Sequence, residues 1–205
     1  MIVVGFDPSL SATGWAVLNS EAPRHAPHRE DGQLVVAGII KPDGDTKDYA
    51  ARLGSLFREA RAILDEYLPS LVVVELPASH GHHRGSKSGT YHVGQPIYGS
   101  AVGAVIVTAL LDARMDTLER ITPPRVMAFA ADVWTRSLPD GARRTKDDPK
   151  KTRRVEYAAT VYSRSPESFG PMTVAGEVAD AVLLARYGLL RLKLEEQERQ
   201  WRAGA

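Results

Sequence analysis

Apolar residues in the first forty positions recur with the period of β-strands. Residues 2–6 form an apolar, largely β-branched run that ends at Asp7, a second run continues through Leu18, and a third covers Gln33–Lys41. Residues 19–32, between the last two runs, are rich in Pro, His and charge and predict a loop. Three successive strands without a helix between them predict an antiparallel meander.

Beyond residue 45 the spacing becomes helical. Apolar side chains recur every three or four positions over Thr46–Leu68, and Pro69 ends the pattern. Leu71–Glu75 is then a short run, apolar up to its final carboxylate, as expected of a strand buried on both faces. Because a helix precedes this strand, it should lie parallel to an earlier one.

The rest of the chain alternates helical patterns with one weak strand. The predicted elements are a small-residue helix from Gln95 or Pro96 to Leu111, a strand over Leu118–Thr122, a short helix from Pro123 to about Asp132, and helices over Lys150–Tyr162 and Val174–Tyr187. We therefore expect an α/β fold with a five-stranded mixed sheet, three antiparallel strands and then parallel ones, flanked by helices. Residues 1–190 would form this domain, and the charged residues 191–205 an exposed helical extension or a disordered tail.

Composition narrows the class of protein. The 205 residues are 43% hydrophobic, which is enough for one sizeable core and short for two. The chain has no Cys, which excludes disulfides, thiolate metal sites and a cysteine nucleophile and fits a reducing cytoplasm. No apolar run reaches membrane-spanning length and no signal segment is evident, so we expect a soluble cytoplasmic protein without a membrane partner.

Charge is unevenly distributed, although the formal net charge is only +1. Residues 136–154 carry eight basic side chains against three acidic ones, and residues 78–98 carry Arg84, Lys87 and four His without any acid. Such basic segments are typical of proteins that bind a polyanion. A zinc site at His80, His82 and His83 is a weaker interpretation, because no fourth ligand lies nearby.

Four carboxylates suggest the chemistry. If the fourth strand lies parallel to the first, Asp7 and Glu75 end adjacent strands at the point where the sheet changes direction, which is where ligand sites form in open α/β sheets. A last helix across this edge could add Glu177 and Asp180, which are three residues apart. Carboxylates gathered without Lys or Arg partners need a cation, and oxygen donors select Mg²⁺ or Mn²⁺. Two such ions could hydrolyse a phosphodiester.

These acidic positions lie in segments that resemble a known family, the RuvC-type Holliday-junction resolvases. The similar segments are Gly5-Phe6-Asp7-Pro8-Ser9-Leu10 with Thr13-Gly14, Val72-Val73-Val74-Glu75, Val93-Gly94-Gln95, and the run from Glu177 to Ala185. The resemblance implies an RNase H-like fold, a homodimer with two active sites, and metal-dependent nicking of four-way DNA junctions. It also implies that Asp7, Glu75, Glu177 and Asp180 bind metal, with two ions per site.

Three positions depart from the family pattern. Ser9 replaces a Gly, which is acceptable if that position does not need a positive φ. Glu177 stands where the family has Asp or His. Met127 occupies the position of a family Lys that approaches the site, so Arg125 is considered as its substitute. A second basic position of the family corresponds to Lys150 or Lys151. The sequence does not decide between the two, and we expect Lys151 among the catalytic residues.

The basic segments supply the predicted DNA contacts. Phosphate or base contacts are expected from Arg84, Lys87, Tyr91, Arg125, Arg143, Arg144, Lys146, Lys150 and Lys151. The leading hypothesis is a structure-selective DNA endonuclease that leaves 5′-phosphate and 3′-hydroxyl ends. The alternatives are a related nuclease that cuts RNA/DNA hybrids or branched DNA, and a non-catalytic module that binds branched DNA. A sugar kinase of the actin-like class is excluded, because the chain is short and lacks further Gly-rich phosphate loops.

Overall fold

The sheet has the predicted mixture of antiparallel and parallel strands. The computed structural model describes residues 1–21, 32–45, 47–76, 101–109, 124–143, 147–148 and 151–204. Within these ranges the strands are β1 (Ile2–Asp7), β2 (Thr13–Asn19), β3 (Gln33–Ile40), β4 (Leu71–Leu76) and β5 (Arg125–Ala130). They form a five-stranded sheet in the order β3-β2-β1-β4-β5.

The pairing confirms the predicted meander and crossover. Strand β2 is antiparallel to both β1 and β3, whereas β4 is parallel to β1 and to β5. The connection from β3 to β4 contains helix α1 (Tyr49–Tyr67), which begins after Asp48 and ends at a left-handed Leu68 followed by Pro69. Because Phe6 is opposite Val74, the ends of β1 and β4 lie side by side.

The remaining helices are α2, which covers residues 101–109, and three elements after β5. These are α3 (Ala131–Trp134), α4 (Thr152–Val161) and α5 (Ala175–Gly204). Helix α5 continues without interruption from the buried residues at its start through the predicted tail, so the tail is a helical extension within the described residues. No helix in the described ranges is long and apolar enough to span a membrane.

Each face of the sheet packs against its own set of helices. Helices α1 and α2 cover one face, where Val4 and Phe6 of β1 meet Leu56 and Leu64. The other face carries Val3 and Val73 and packs against α5. Trp134 of α3 belongs to the same buried cluster. Since side chains alternate along a strand, Asp7 and Glu75 point to the α5 face, in step with Val3 and Val73.

One predicted stretch is wrong. The short helix from Pro123 to about Asp132 is replaced by β5 over Arg125–Ala130, and helix begins only at Ala131. The predicted strand Leu118–Thr122 lies outside the described residues. Residues 125–130 include Val126 and Phe129, which favour strands, and their pairing with β4 outweighs the helix-start preference of the two preceding prolines.

Candidate active site

Asp7 ends the central strand of the sheet and is almost fully buried. Only 8% of its surface is exposed. The turn that follows is fixed by Thr13, whose hydroxyl donates to the Ser9 carbonyl at 2.8 Å and accepts from the Ser9 amide at 2.9 Å. Ser9 has no positive φ, so its replacement of a glycine requires no strained backbone.

Glu75 lies beside Asp7 at the end of the adjacent parallel strand. Its carboxylate is held from the side of α3, where the Trp134 indole Nε1 donates to Glu75 Oε2 at 2.8 Å. Trp134 is fully buried. The predicted proximity of the two strand-end carboxylates is thus present, and Glu75 has a defined orientation.

Helix α5 brings Glu177 and Asp180 to the same edge. Its first turn crosses β2 at Gly14, where an added Cβ would lie 2.1 Å from the Glu177 carbonyl oxygen. The helix also passes over Gly5, at which a Cβ would meet the Ala181 carbonyl oxygen at 2.6 Å. Only small residues permit this approach, and it carries the two acids of α5 to the ends of β1 and β4.

Lys151 joins three of these carboxylates. Its Nζ lies 2.6 Å from Asp180 Oδ2, 3.6 Å from Glu177 Oε1 and 3.7 Å from Asp7 Oδ2. Of the two lysines that the sequence left open, Lys151 lies at the cluster, while Lys150 lies outside the described residues. Lys151 adopts a left-handed backbone conformation (φ 56°), which costs a non-glycine residue about 1 kcal/mol.

The backbone around Lys151 is anchored by Asp148. The Asp148 carboxylate accepts hydrogen bonds from the backbone amides of Thr152 at 2.8 Å and Arg153 at 3.0 Å. It thus pairs with the first two amides of α4, which no carbonyl within the helix can reach. Desolvation favours the neutral acid, but these backbone donors outweigh it and keep the pKa of Asp148 below its ordinary value. A charged cap thus holds the start of α4, and with it Lys151, against the carboxylates.

A second basic residue, Arg154, also contacts the cluster. Its Nη1 donates to Asp180 Oδ1 at 2.7 Å, and both side chains are buried. The expectation that these acids lack basic partners is therefore wrong. When all six groups are ionised, four carboxylates and two cations still leave two negative charges uncompensated.

The excess negative charge appears in the acid–base properties of the site. Burial, followed by the charges of Glu75 and Asp180, raises the pKa of Asp7 well above its ordinary value, although Lys151 opposes this effect. Burial alone would lower the pKa of Lys151, but the carboxylates of Asp180, Asp7 and Glu177 raise it above its usual range. The Lys151 side chain therefore stays protonated, and ionisation of the Asp7 carboxyl is disfavoured.

The donor set fits a hard divalent cation, with Lys151 as its competitor. Oxygen ligands and uncompensated charge suit Mg²⁺ or Mn²⁺. Within the described residues no three acidic or imidazole groups already converge on a single metal position. Three of the carboxylates instead contact the Lys151 ammonium, which would compete with a divalent ion for them.

The other predicted site residues are dispersed. Arg125 begins β5 at the edge of the sheet opposite Asp7 and Glu75, where it pairs with Glu195 at 2.5 Å, so it cannot replace a lysine at the cluster. Met127 is a core residue. Arg143 is bound within its own loop, to the carbonyls of Leu138 and Arg136 and to Asp140. The predicted contacts that lie outside the described residues are Arg84, Lys87, Tyr91, Arg144, Lys146 and Lys150, together with the alternative His80, His82 and His83.

Arg154 and Trp134 were missed as site residues. Arg154 had a detectable signal, since it shares the helical spacing of the apolar positions Ala158 and Val161 and so falls on the buried stripe of α4. Trp134 had none, because its partner Glu75 lies in another strand and only the folded chain brings them together.

The fold and the site define an RNase H-like α/β domain with an acidic cluster at the switch point of its sheet. In sequence, the chain is 34% identical over 77 residues to the RuvC crossover junction endodeoxyribonuclease of Polaromonas naphthalenivorans, an alignment that covers 37% of this chain and 38% of that protein. The corresponding enzyme of Dictyoglomus turgidum is 34% identical over 77 residues, or 37% and 42% of the two chains. The alignments thus span about two-fifths of these curated relatives.

In structure, the chain is similar to Thermus thermophilus RuvC with a TM-score of 0.64 and 18% identity, over 95% of this chain and 97% of that one. The same protein in complex with a Holliday junction substrate gives a TM-score of 0.63 and 17% identity, over 95% and 96%. No family model matches the chain. The predicted RNase H-like fold and the resemblance to RuvC-type resolvases are confirmed.

Proposed function

We propose that this protein is a metal-dependent endonuclease that nicks Holliday junctions or related branched DNA, acting as a cytoplasmic homodimer. The observation that carries the proposal is the meeting of Asp7, Glu177 and Asp180 around one cationic group, with Glu75 beside Asp7 on the adjacent strand. The likeness in sequence and fold to proteins named as crossover junction endodeoxyribonucleases supports the same function.

Asp7, Glu75, Glu177 and Asp180 would hold Mg²⁺ or Mn²⁺, with two ions in each site. Bound ions of this kind supply an activated water nucleophile and stabilise the leaving oxygen, which yields 5′-phosphate and 3′-hydroxyl ends. The first turn of α5 favours a negative charge at Glu177, since the amino-terminal end of a helix carries partial positive charge.

Lys151 acts as a charge and not as a base in this proposal. Its pKa is raised, so the side chain stays protonated at physiological pH and cannot accept a proton from water. A divalent ion would compete with its ammonium for the same carboxylate oxygens. Once those contacts weaken, the ammonium becomes available to the negative charge of a phosphodiester bound at this edge.

The decisive experiment is nicking of a synthetic four-way junction by single-residue variants. Asp7→Asn and Glu75→Gln each remove one anionic ligand, and we expect the rate to fall by about three orders of magnitude or more. Junction affinity should change by about threefold or less, because binding depends mainly on phosphate contacts. Gel-based cleavage and fluorescence anisotropy measure the two quantities.

The matched control is Asp65→Asn, which removes an exposed carboxylate of α1 that pairs with Arg61. It should retain full activity. Near-unaltered nicking by Asp7→Asn would refute the proposal. Faster cleavage of an RNA/DNA hybrid than of the junction would reassign the substrate, and sedimentation of the unaltered protein as a monomer would refute the homodimer.

A further inference from the structure

A second set of contacts reaches the carboxylate cluster through Arg154 and Trp134 and does not include the Lys151 side chain. Arg154 Nη1 donates to Asp180 Oδ1 at 2.7 Å, and the Arg154 guanidinium carbon lies 5.4 Å from the centre of the Trp134 ring. The indole Nε1 of Trp134 in turn donates to Glu75 Oε2 at 2.8 Å. All these contacts are buried or partly buried, so water competes with them poorly.

This set of contacts connects two acids that come from different elements. Asp180 lies on α5 and Glu75 ends β4, while Arg154 and Trp134 belong to α4 and α3. Asp180 has one oxygen on Arg154 and the other on Lys151. Each of the two acids thus has one carboxylate oxygen held by a side chain of another element, Asp180 by Arg154 and Glu75 by Trp134.

Lys151 and Arg154 have different relations to the site. Lys151 contacts three carboxylates, and a cation that binds the same oxygens would displace its ammonium group from them. Among the described residues, Arg154 pairs with Asp180 alone and stacks on an aromatic ring, and its buried Nε has no hydrogen-bond partner there. A planar guanidinium can stack and donate in its plane at the same time, which an ammonium cannot.

We propose that Arg154 and Trp134 are positioning residues, which orient Asp180 and Glu75 for a divalent cation without touching the substrate themselves. The inference rests on the proposed function of the carboxylate cluster. It predicts that metal affinity depends on the hydrogen bonds that these two side chains donate to Asp180 and Glu75, and not only on the positive charge of Arg154.

Two substitutions test shape separately from charge. Trp134→Phe keeps an aromatic ring near the guanidinium but removes the donor to Glu75 together with part of the buried ring volume, while Arg154→Lys keeps the positive charge and removes the planar fork. Each should weaken Mn²⁺ binding by about tenfold, as measured by electron paramagnetic resonance of free Mn²⁺ during titration. If Arg154 served only as a counter-charge to Asp180, the Mn²⁺ affinity of Arg154→Lys would equal that of the unaltered protein.

The matched controls are Trp201→Phe and Arg153→Lys. Trp201 is 77% exposed on the distal part of α5, and Arg153 is the exposed neighbour of Arg154. Both should bind Mn²⁺ as the unaltered protein does. Thermal unfolding of each variant establishes that it is folded during the titration, so a loss of affinity is not a loss of folded protein.

The outcomes separate this inference from the proposed function. Mn²⁺ affinity within about twofold of the unaltered protein in folded Trp134→Phe or Arg154→Lys would overturn the assignment of that residue, whatever the protein cuts. Absence of Mn²⁺ binding by the unaltered protein would overturn both assignments. If the expected weakening occurs but the unaltered protein does not nick junctions, the positioning role stands and the proposed function fails.

Discussion

The two faces of the sheet are built in different ways. The α1 face is filled by large aliphatic and aromatic side chains such as Phe6, Leu56 and Leu64, and the polar side chains buried in its helices, Ser55 and Thr108, are uncharged. The α5 face has glycines at its closest contacts, Gly5 and Gly14, and it also holds the buried charges Asp7, Arg154 and Asp180. One face therefore serves mainly for stability. The other has glycine in place of larger residues, which allows α5 to lie close to β1 and β2.

That short distance is what assembles the site. Asp7 and Glu75 lie at strand ends and their side chains are short. Acids on a helix can therefore contribute to the same site only if the helix packs close to the sheet. Gly14 lets the backbone of α5 approach β2 at Glu177, where any side chain at position 14 would collide. We therefore expect substitutions on the α5 face to affect metal binding and stability together, and substitutions on the α1 face to affect stability alone.

The largest effect is expected from Gly14→Ala. The new Cβ would lie 2.1 Å from the Glu177 carbonyl oxygen and 2.5 Å from its carbonyl carbon, so the first turn of α5 must move. Overpacking of this kind costs about 3 kcal/mol of unfolding free energy. The displacement of Glu177 should also weaken Mn²⁺ binding by about tenfold, measured on protein shown by urea titration to be folded.

The matched change on the other face is Leu64→Ala. Leu64 is fully buried against the sheet, and its truncation should also cost about 3 kcal/mol. Its Mn²⁺ affinity should equal that of the unaltered protein. Equal losses of metal affinity in Gly14→Ala and Leu64→Ala would show that the two faces do not differ in the way described.

A smaller effect with a defined pH dependence is expected for Asp7→Asn in the presence of a chelator. Burial and neighbouring carboxylates raise the pKa of Asp7 above the ordinary 3.8, so the native state binds this proton more tightly than the unfolded state. Stability of the metal-free protein should therefore fall as pH rises from 3.8 through the higher native pKa. The Asn variant lacks this loss and should have the higher Tm at pH 7.5.

The same comparison at other conditions tests the cause. The Tm difference should shrink as the pH is lowered towards 3.8, because Asp7 then becomes protonated in the unfolded state as well as in the native state. Excess Mn²⁺ should reverse it, because only the unaltered protein retains the full set of anionic ligands. Calorimetric scans of both proteins provide the values, and a pH-independent difference would contradict the assigned cause.

The sequence predicted the part of the site that follows from strand ends and helix spacing. Asp7 and Glu75 were brought together by the rule that a helical crossover yields parallel neighbours, and Glu177 and Asp180 by their three-residue separation. The position of β5 was not predictable in this way, because residues 125–130 fit a strand or a helix and only pairing with β4 decides between them. The burial of Arg154 could have been predicted from its place on the apolar stripe of α4, but its partners Asp180 and Trp134 are distant in sequence and only the folded chain brings them together.

The smallest effect is expected from Gly54→Ala on the α1 side, which is the counterpart of Gly14→Ala. Gly54 lies within α1, and an added Cβ there would meet only Arg58 Nη1, at 3.6 Å. Alanine restricts the unfolded chain and suits a helix better than glycine, so the unfolding free energy should rise by about 0.5–1 kcal/mol with unchanged Mn²⁺ affinity. Urea titration measures the gain. We expect the unfolding free energy to fall in Gly14→Ala and to rise in Gly54→Ala, because only the α5 side is closely packed. A fall in both variants would mean that α1 is packed as tightly as α5.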